Sequence, residues 1–246
     1  MSYNYRKTLY TDYYQNQSGR RFQLEIEEKM KRDEYHLSKE ILPLIPKSKD
    51  IAILDIGCGF GSLIRMFKNK GYTKLKGIDL SESQVKVAHA NGLNQEIEVA
   101  DIHQFLSDKT GQFDVITGID IIEHFSKDEL VELLNIIKKS LKPGGIAIFR
   151  TPNNDAPFAS VYANGDFTHE NYMNASSATQ LSLSLGFINV EVHASHLEVE
   201  GLLKEIIRKI TWSILSLGIK LILFATARST KNVLQTPNMI IKVQRP

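Results

Sequence analysis

The 246-residue chain has a single cysteine, Cys58, and almost no excess of charge of either sign. One cysteine cannot form an internal disulfide and cannot supply a cysteine-rich zinc site. A formal net charge of +2 gives no global signal for nucleic acid, which we therefore do not expect as a partner. Residues 1–21 lack the apolar core of a signal peptide, so we expect a cytoplasmic protein.

The composition is that of a globular protein, with 42% hydrophobic and 24% charged residues. The length suits one α/β domain with additions better than two full domains. We see no internal repeat or low-complexity segment. Residues 1–21 are rich in tyrosine and read either as a tail whose rings pack on the domain or as a lid over a ligand site.

Residues 51–61 carry the most informative pattern of the chain: an apolar, isoleucine-rich segment leads directly into three glycines at alternate positions. The pattern predicts a buried parallel strand, a tight turn at Gly57, Gly59 and Gly61, and a helix. Backbone in such a turn can approach a ligand closely, because glycine has no Cβ. A dinucleotide fingerprint has the spacing G-x-G-x-x-G, so the G-x-G-x-G found here disfavours an NAD-dependent oxidoreductase.

Acidic residues follow the next two predicted strands. Asp79 comes about twenty residues after the glycines, where a doubly wound sheet places a carboxylate beside the glycine turn and within reach of ribose hydroxyls. Asp101 ends the following strand. The alternatives are a helix N-cap or a solvated loop acid for Asp79 and a plain cap of a helix over 104–106 for Asp101.

The remaining periodicities alternate between strand and helix, which predicts a doubly wound α/β sheet. Strands are predicted at 51–56, 74–80, 97–100, 113–119, 146–150, 187–194 and 239–243. Helices are predicted at 22–44, from the glycines onward through Phe67, at 82–91, 104–106, 127–141 and 175–185, with a long polar and aromatic loop at 152–174.

The run Asp120-Ile121-Ile122-Glu123-His124 follows the fourth predicted strand. If the chain is helical there, positions i, i+3 and i+4 share one face, so Asp120, Glu123 and His124 converge at the top of the sheet. Such a group could supply a general base or, with His169 from the 152–174 loop, a site for Mg or Mn. The alternative is that Glu123 and His124 only cap the helix or orient the loop.

Together these motifs resemble the class I S-adenosylmethionine-dependent methyltransferases over about residues 50–152. The resemblance rests on D-I-G-C-G-F-G at 55–61, F-D-V at 113–115, the Asp120-x-x-Glu123-His124 run and L-K-P-G-G at 141–145. It implies a seven-stranded, mostly parallel sheet with an antiparallel last strand, and S-adenosylmethionine as cofactor. The implied cofactor contacts are Asp55, Gly57, Cys58 through its backbone, Gly59, Gly61, Asp79, Leu80, Asp101, Ile102 and Ile119.

The Glu123-His124 pair also resembles the E-x-x-E-H motif of the ubiquinone-pathway O-methyltransferases, which ligates a divalent metal, and small-RNA 2′-O-methyltransferases add a later histidine. The resemblance implies a metal site at Asp120, Glu123, His124 and His169, with His124, His169 and Glu123 in catalysis. This chain departs from the motif at its first position, where Asp120 replaces glutamate, and that departure puts the metal in doubt.

Three functions remain open. Residues 151–174, and the apolar insertion before the closing segment 236–240, resemble methyltransferases of bacterial surface-polysaccharide synthesis. This implies a sugar hydroxyl in a glycan or lipid-linked saccharide as the acceptor. The ubiquinone-pathway resemblance implies a quinone-like or other phenol. The third is a module that binds S-adenosylmethionine without turnover, which the intact acids and histidines argue against.

An apolar and basic stretch, 200–235, separates the last two predicted strands. Its run 210–227 is as long as a membrane span, but Lys220 interrupts it and spanning would put the final strand across the membrane from its sheet. We expect helices that pack on the domain or on a second copy in a homodimer, or that lie on the inner face of a membrane through 200–231 with Trp212 in the lipid. The resulting organisation is 1–48 arm and lid helix, 49–199 core, 200–235 insertion and 236–246 last strand.

Overall fold

The structure, a computed structural model, describes Leu9 and residues 26–231 and 233–246. The predicted tyrosine-rich arm therefore lies outside the described residues, apart from Leu9. The division of the chain into arm, core, insertion and last strand stays a prediction.

Seven strands form one sheet in the order β3-β2-β1-β4-β5-β7-β6. The first five strands pair in parallel, while β7 runs antiparallel to both β5 and β6. This confirms the predicted doubly wound, mostly parallel sheet with an antiparallel last strand. The strands are β1 Ala52–Ile56, β2 Lys74–Asp79, β3 Ile97–Val99, β4 Phe113–Ile119, β5 Leu141–Pro152, β6 Ile188–Ala194 and β7 Asn238–Gln244.

Helices connect the strands and cover both faces of the sheet. The described helices are α1 Ile26–Glu40, α2 Ser62–Asn69, α3 Glu82–Ala90, α4 Ile102–Leu106, α5 Lys127–Ser140, α6 Ala159–Ala163, α7 Ala175–Ser184 and α8 Leu202–Ala225, with 3-10 turns at Leu42–Leu44 and Ile122–His124. The sequence sets their starts: Ser126 begins α5 with a capping box in which Glu129 donates its backbone N–H to the Ser126 hydroxyl and accepts the Ser126 amide.

The core lies on the two faces of the sheet. Strand β1 is buried on both sides, as expected for a central parallel strand. On one face α5 contributes Leu130, Leu133 and Ile137, all at most 2% exposed. On the other face α1 and α2 pack against the sheet, so the helix predicted just before the first strand is confirmed in that position.

Some segments differ from the sequence-based expectation. After β4 the chain forms a 3-10 turn at Ile122–His124 rather than an α-helix, and Asp120 has φ 53°. Strand β5 is longer than predicted, because Leu141 already pairs with Phe113 and Pro152 still pairs with Asn238. The predicted helical insertion before the last strand is one helix, α8.

No helix among the described residues is long and apolar enough to cross a membrane.

Gly61 begins α2 with φ 88° and gives a direct test of the packing between the glycine turn and the sheet. A Cβ built there would lie 2.4 Å from Ile97 Cδ1 and 2.6 Å from Leu93 Cδ1, two buried side chains. We expect Gly61→Ala to lower the free energy of unfolding by the left-handed strain of about 1–2 kcal/mol plus about 1–3 kcal/mol of overpacking.

Gly92→Ala is the matched control, because Gly92 has φ 81° but nothing within 4 Å of an added Cβ. It should show the backbone strain alone. Urea unfolding of both variants measures the difference, and equal losses would mean that Ile97 and Leu93 move aside at no cost.

Candidate active site

A cleft of about 1230 Å³ opens at the carboxyl ends of β1, β2 and β4. The strand order reverses between β1 and β4, so their connections leave on opposite faces and open a crevice where ligands bind in sheets of this kind. The turn after β1, the strand ends Asp79 and Ile119, and the inner side of α1 line the cleft. Residues 195–197 and 237–238, which flank α8 in the chain, line it as well.

The glycine turn after β1 is held by its own backbone. Gly61 N–H donates to Cys58 O at 2.9 Å, and Cys58 N–H donates to Ile78 O at 3.0 Å. Gly57 has φ 63°, and a Cβ there would lie 2.8 Å from Ile121 Cδ1. Both the conformation and the close approach of Ile121 therefore require glycine at this position.

The Cys58 side chain belongs to the core rather than to the cleft chemistry. It packs in a buried cluster with Ile64 and Ile97, and burial together with the carboxylates of Asp55 and Asp79 raises the pKa of its thiol. A thiol with a raised pKa is a poor nucleophile. A reactive role for this thiol is therefore disfavoured, and the backbone contact of Cys58 with the cofactor stays a prediction.

Asp79 lies at the end of β2 with both carboxylate oxygens anchored. Oδ2 accepts the Gly59 N–H and Oδ1 accepts the Ser81 N–H, each at 2.8 Å. Burial raises the pKa of Asp79, and these two amides oppose that shift. Each oxygen retains a second lone pair, so a carboxylate that lines the cleft is both positioned and able to accept further hydrogen bonds.

Asp55, on β1, is 2% exposed and accepts the Thr117 hydroxyl at 2.7 Å. Burial raises its pKa to about 7, with Asp79 contributing in the same direction. The carboxyl group can therefore gain or lose its proton near neutral pH.

Asp101 is a helix cap that also lies at the cleft. Its Oδ1 accepts the Gln104 N–H at 3.0 Å and caps α4, and the residue also lines the cleft. Leu80, which is 66% exposed, and Ile102 give the same region an apolar wall. Of the predicted cofactor residues, Gly61 alone does not line the cleft. Glycine is required there because a Cβ would collide with the side chains of Leu93 and Ile97.

Glu123, His124 and His169 form a compact cluster beside the cleft. One ligand atom from each lies within 4.8 Å of the others, and the two imidazole rings meet edge to face with centroids 4.8 Å apart. The Glu123 carbonyl accepts the N–H groups of Glu170 and Asn171 at 2.7 and 3.0 Å. These bonds bring the 152–174 loop onto the 3-10 turn. His124 lines the cleft, whereas Glu123 and His169 lie behind it.

Hydrogen bonds fix the tautomers of both histidines. The Thr168 hydroxyl donates to Asp166 Oδ1 at 2.7 Å, so it must accept from His124 Nδ1, which lies 2.8 Å away. His169 Nδ1 lies 2.7 Å from the Ala163 carbonyl and must donate to it. A neutral imidazole that donates from Nδ1 carries its lone pair on Nε2. Both Nε2 atoms are thus the basic ones.

The surroundings oppose charge within the cluster. Burial raises the pKa of Glu123, and the Asp120 carboxylate adds to that shift, although Thr151 donates a hydrogen bond to Glu123 at 3.1 Å. Burial and the neighbouring His169 lower the pKa of His124. Near neutral pH the neutral, basic form of His124 is favoured.

Asp120 does not join this cluster, contrary to the predicted four-residue metal set. Its positive φ and the 3-10 turn replace the helical face that would have aligned it with Glu123 and His124. Instead it forms a two-pronged ion pair with Arg150, whose Nε lies 3.0 Å from Asp120 Oδ1. The structure brings together three of the four predicted ligands.

Arg150 and Glu40 are site residues that the sequence analysis missed. Arg150, near the end of β5, also donates to Glu40 of α1 at 3.1 Å, so it joins the helix to the strand ends across the cleft. These paired acids raise the pKa of Arg150 despite its burial. The available signal was its position near the carboxyl end of a predicted strand, at the edge where the other site residues lie.

Comparisons with known proteins agree with this geometry. The fold is that of the S-adenosylmethionine-dependent methyltransferases: one from Archaeoglobus fulgidus superposes with a TM-score of 0.64 at 18% identity, covering 96% of this chain and 99% of that one. Phosphoethanolamine N-methyltransferase 2 of Haemonchus contortus, solved in complex with S-adenosyl-L-methionine, gives 0.62 at 16% identity over 100% of this chain and 60% of its own.

The sequence model described as "Methyltransferase domain" matches residues 27–192, so the chain belongs to that family. Ubiquinone biosynthesis O-methyltransferase of Caulobacter sp. (strain K31) is 34% identical over 107 residues, 42% of this chain and 41% of that protein. The same-named protein of Nitrosococcus oceani is 34% identical over 115 residues, 45% and 47% of the two chains. The match spans less than half of each of these relatives.

The raised pKa of Asp55 predicts a dependence of stability on pH. Its folded value of about 7 lies above an unfolded value near 3.9. Its stabilising contribution is therefore fully present below the unfolded pKa and is lost as pH rises through 7. Asn has nearly the same shape as Asp but does not titrate. Between pH 4 and 8 the free energy of unfolding should therefore fall less for Asp55→Asn than for the parent, by on the order of 2–4 kcal/mol.

Denaturant unfolding at several pH values measures this difference, with Glu132→Gln, an exposed carboxylate on α5, as the control. Parallel pH profiles for the parent and Asp55→Asn would show that Asp55 is ionised in the folded protein throughout this range.

Proposed function

We propose that this chain is an S-adenosylmethionine-dependent methyltransferase that methylates a hydroxyl oxygen of a small molecule. The observation that carries the proposal is Asp79, whose carboxylate lines the cleft while the Gly59 and Ser81 amides fix its orientation. Membership of the methyltransferase domain family supports it. The names of the O-methyltransferase relatives support oxygen as the acceptor atom.

The residues of the cleft fit S-adenosylmethionine. Asp79 would accept hydrogen bonds from the ribose hydroxyls, and Asp101 would accept one from the adenine amino group. Leu80 and Ile102 offer apolar surface for the adenine ring, and the glycine turn admits the ligand next to backbone. Asp55 adds an acid to a cleft that would hold a cationic ligand. Bound there, S-adenosylmethionine supplies an electrophilic methyl group.

The chain's own contribution is to position the acceptor and remove its proton. His124 lines the cleft with a basic Nε2, and its lowered pKa keeps that nitrogen unprotonated near neutral pH. The acceptor hydroxyl would pass its proton to Nε2. Thr168 and Asp166 hold the ring in this tautomer and stabilise the imidazolium that forms, as the acid does in other hydrogen-bonded histidine bases.

A divalent cation is a second means of activating the hydroxyl. Glu123, His124 and His169 present one carboxylate oxygen and two imidazole nitrogens close enough together for one ion, and His169 keeps Nε2 available because Nδ1 donates to Ala163. This oxygen and nitrogen set suits Mg or Mn less than an all-oxygen set would. A cation bound there would lower the pKa of a ligated hydroxyl.

The acceptor class rests on different support for each candidate. The relatives named for ubiquinone biosynthesis favour a quinone-like phenol. The sugar hydroxyl in a glycan or lipid-linked saccharide stays a prediction from the sequence, as does the homodimer. The non-catalytic binding module differs in one readout: it would bind S-adenosylmethionine but release no S-adenosylhomocysteine in the presence of phenol or saccharide acceptors.

Asp79→Ala tests the cofactor site. Loss of hydrogen bonds between the ribose and a charged group should weaken S-adenosylmethionine binding by about 2–3 kcal/mol. Isothermal calorimetry measures the affinity, and Asp108→Ala, an exposed acid outside the cleft, should bind like the parent. Unchanged affinity in Asp79→Ala would remove the assignment of this residue to ribose.

His124→Ala tests the base. Turnover should fall roughly a hundredfold or more, while the affinity for S-adenosylmethionine stays near that of the parent. His169→Ala should also lower turnover, because its ring contacts that of His124. The control is His193→Ala on β6, outside the cleft. Full activity in both site variants would exclude His124 and His169 from the mechanism.

The pH profile and chelation separate the base from the metal. With His124 as base, kcat should fall on the acid side below the ordinary histidine pKa, because burial lowers the pKa of His124. Activity that survives exhaustive dialysis against a chelator excludes the metal and leaves the base. Activity that is lost and then restored by Mg or Mn places the ion in the reaction.

A further inference from the structure

Helix α8, Leu202–Ala225, presents an apolar surface that the described fold does not cover. One row of its side chains faces outward along the length of the helix, each residue between 55% and 71% exposed: Leu203, Ile207, Ile210, Ile214, Leu217 and Leu221. Their spacing of three or four residues places them on one face. We name this row the α8 stripe. Exposed apolar patches of this kind mark interaction surfaces.

The opposite side of α8 is half-buried and meets segments that flank the helix in the chain, since Gln235 Nε2 lies 3.5 Å from the Ser216 carbonyl. Its half-buried residues recur at the same spacing and include Arg208, Trp212 and Ile219. Arg208 donates to both oxygens of Glu205, at 2.7 and 2.6 Å. Trp212, predicted from the sequence to enter lipid, therefore lies on the inward side rather than in the α8 stripe, and Arg208 is held by Glu205.

Charge along the stripe is of one sign. On a helical projection Lys209 and Lys220 border the stripe on one edge and Lys204 borders it on the other. Residues 202–231 contain six basic side chains and a single acid, Glu205, although the whole chain has a net charge of only +2. A net positive charge is thus concentrated in the segment that carries the α8 stripe.

We propose that α8 docks on the surface of an anionic lipid bilayer, with the α8 stripe in the acyl boundary and the bordering lysines at the headgroups. An apolar face flanked by lysines is the pattern of helices that lie in the interface plane, and anionic headgroups match the lysines. The helix has 24 residues and is therefore about 36 Å long. Lying parallel to the bilayer surface, it would place the whole α8 stripe in contact with lipid.

A second copy of the chain matches the stripe less well. Related by a two-fold axis, two α8 helices facing each other would bring a lysine edge against a lysine edge. Within α8 no acidic side chain borders the stripe to compensate, because Glu205 lies on the inward side, where it is engaged by Arg208 and lies 3.6 Å from Lys209 Nζ. Like charges across such a contact are repulsive.

The chain connections place this surface beside the cleft. Residues 195–197, before α8, and residues 237–238, after it, both line the cleft. A docked α8 therefore holds cleft-lining segments close to the bilayer. This consequence rests on the proposed function and points to an acceptor dissolved in or carried by lipid, whereas docking itself can be tested without any methyl transfer.

The test is flotation of the full chain with vesicles of phosphatidylcholine containing about one third phosphatidylglycerol, at low salt, against vesicles of phosphatidylcholine alone. The protein should rise with the anionic vesicles, with a partition coefficient roughly tenfold or more above that for neutral vesicles. Protein that stays at the bottom of the gradient with anionic vesicles overturns the proposal and leaves the methyltransferase assignment untouched.

Two sets of variants locate the contact. Ile214→Asp should lower the partition coefficient at least tenfold, since it buries a charge, whereas Leu183→Asp, a matched change of an exposed leucine on α7, should not change it. Lys209→Gln with Lys220→Gln should lower it roughly tenfold or more, against no change for Lys86→Gln with Lys127→Gln. Equal flotation of stripe variants and controls overturns the assignment to α8.

Sedimentation velocity without lipid distinguishes the second copy. A monomeric parent chain, or a dimer that Ile214→Asp leaves intact, supports docking on lipid when flotation is positive. A dimer that Ile214→Asp dissociates, together with no flotation of the parent, assigns the α8 stripe to self-association and overturns the proposal. Melting curves by circular dichroism confirm that each variant is folded.

Discussion

The placement of Asp79 beside the glycine turn depends on one constraint, the position of β1 between β2 and β4. Because its connections leave on opposite faces, the carboxyl ends of these strands border an open crevice. Asp79, at the end of β2, then lies beside the glycine turn. Its carboxylate accepts the Gly59 N–H of the turn and the Ser81 N–H that follows β2. A turn in which three glycines have positive φ is stable here because β1 and α2 fix its two ends and Asp79 satisfies one of its donors.

Burial of ionisable groups is the second organising feature. Asp55 and Glu123 have raised pKa values because each is enclosed by protein, while Arg150 remains charged because Asp120 and Glu40 both face it. Asp55 in the cleft and Glu123 behind it are therefore carboxyl groups that can hold protons near neutrality. A site of this kind can change its protonation when a cationic ligand enters, because the ligand favours the ionised acids.

The sequence pattern predicts structural features that depend on residues close together in the chain. It does not predict contacts between residues that are far apart in the chain. The strands and the glycine turn could be predicted because apolar periodicity and glycine spacing report local backbone. The packing role of Gly61 could not be predicted, because only the packed structure brings Leu93 and Ile97 against it. Asp120 was placed with Glu123 and His124 because a helix was assumed. Its pairing with Arg150 depends on the neighbouring strand β5, which sequence spacing does not report.

The insertion before β7 connects the exposed helix α8 to residues that line the cleft. Helix α8 lies in the chain between β6 and β7, and β7 pairs with both β5 and β6. The residues that flank α8 line part of the cleft. A partner that orders residues 195–197 and 237–238 by holding α8 would remove conformational freedom that ligand binding would otherwise have to remove. By linkage, ligands that order this wall would favour the same partner to the same extent. The energetic effect of α8 on the site is therefore reciprocal, whatever surface the helix meets.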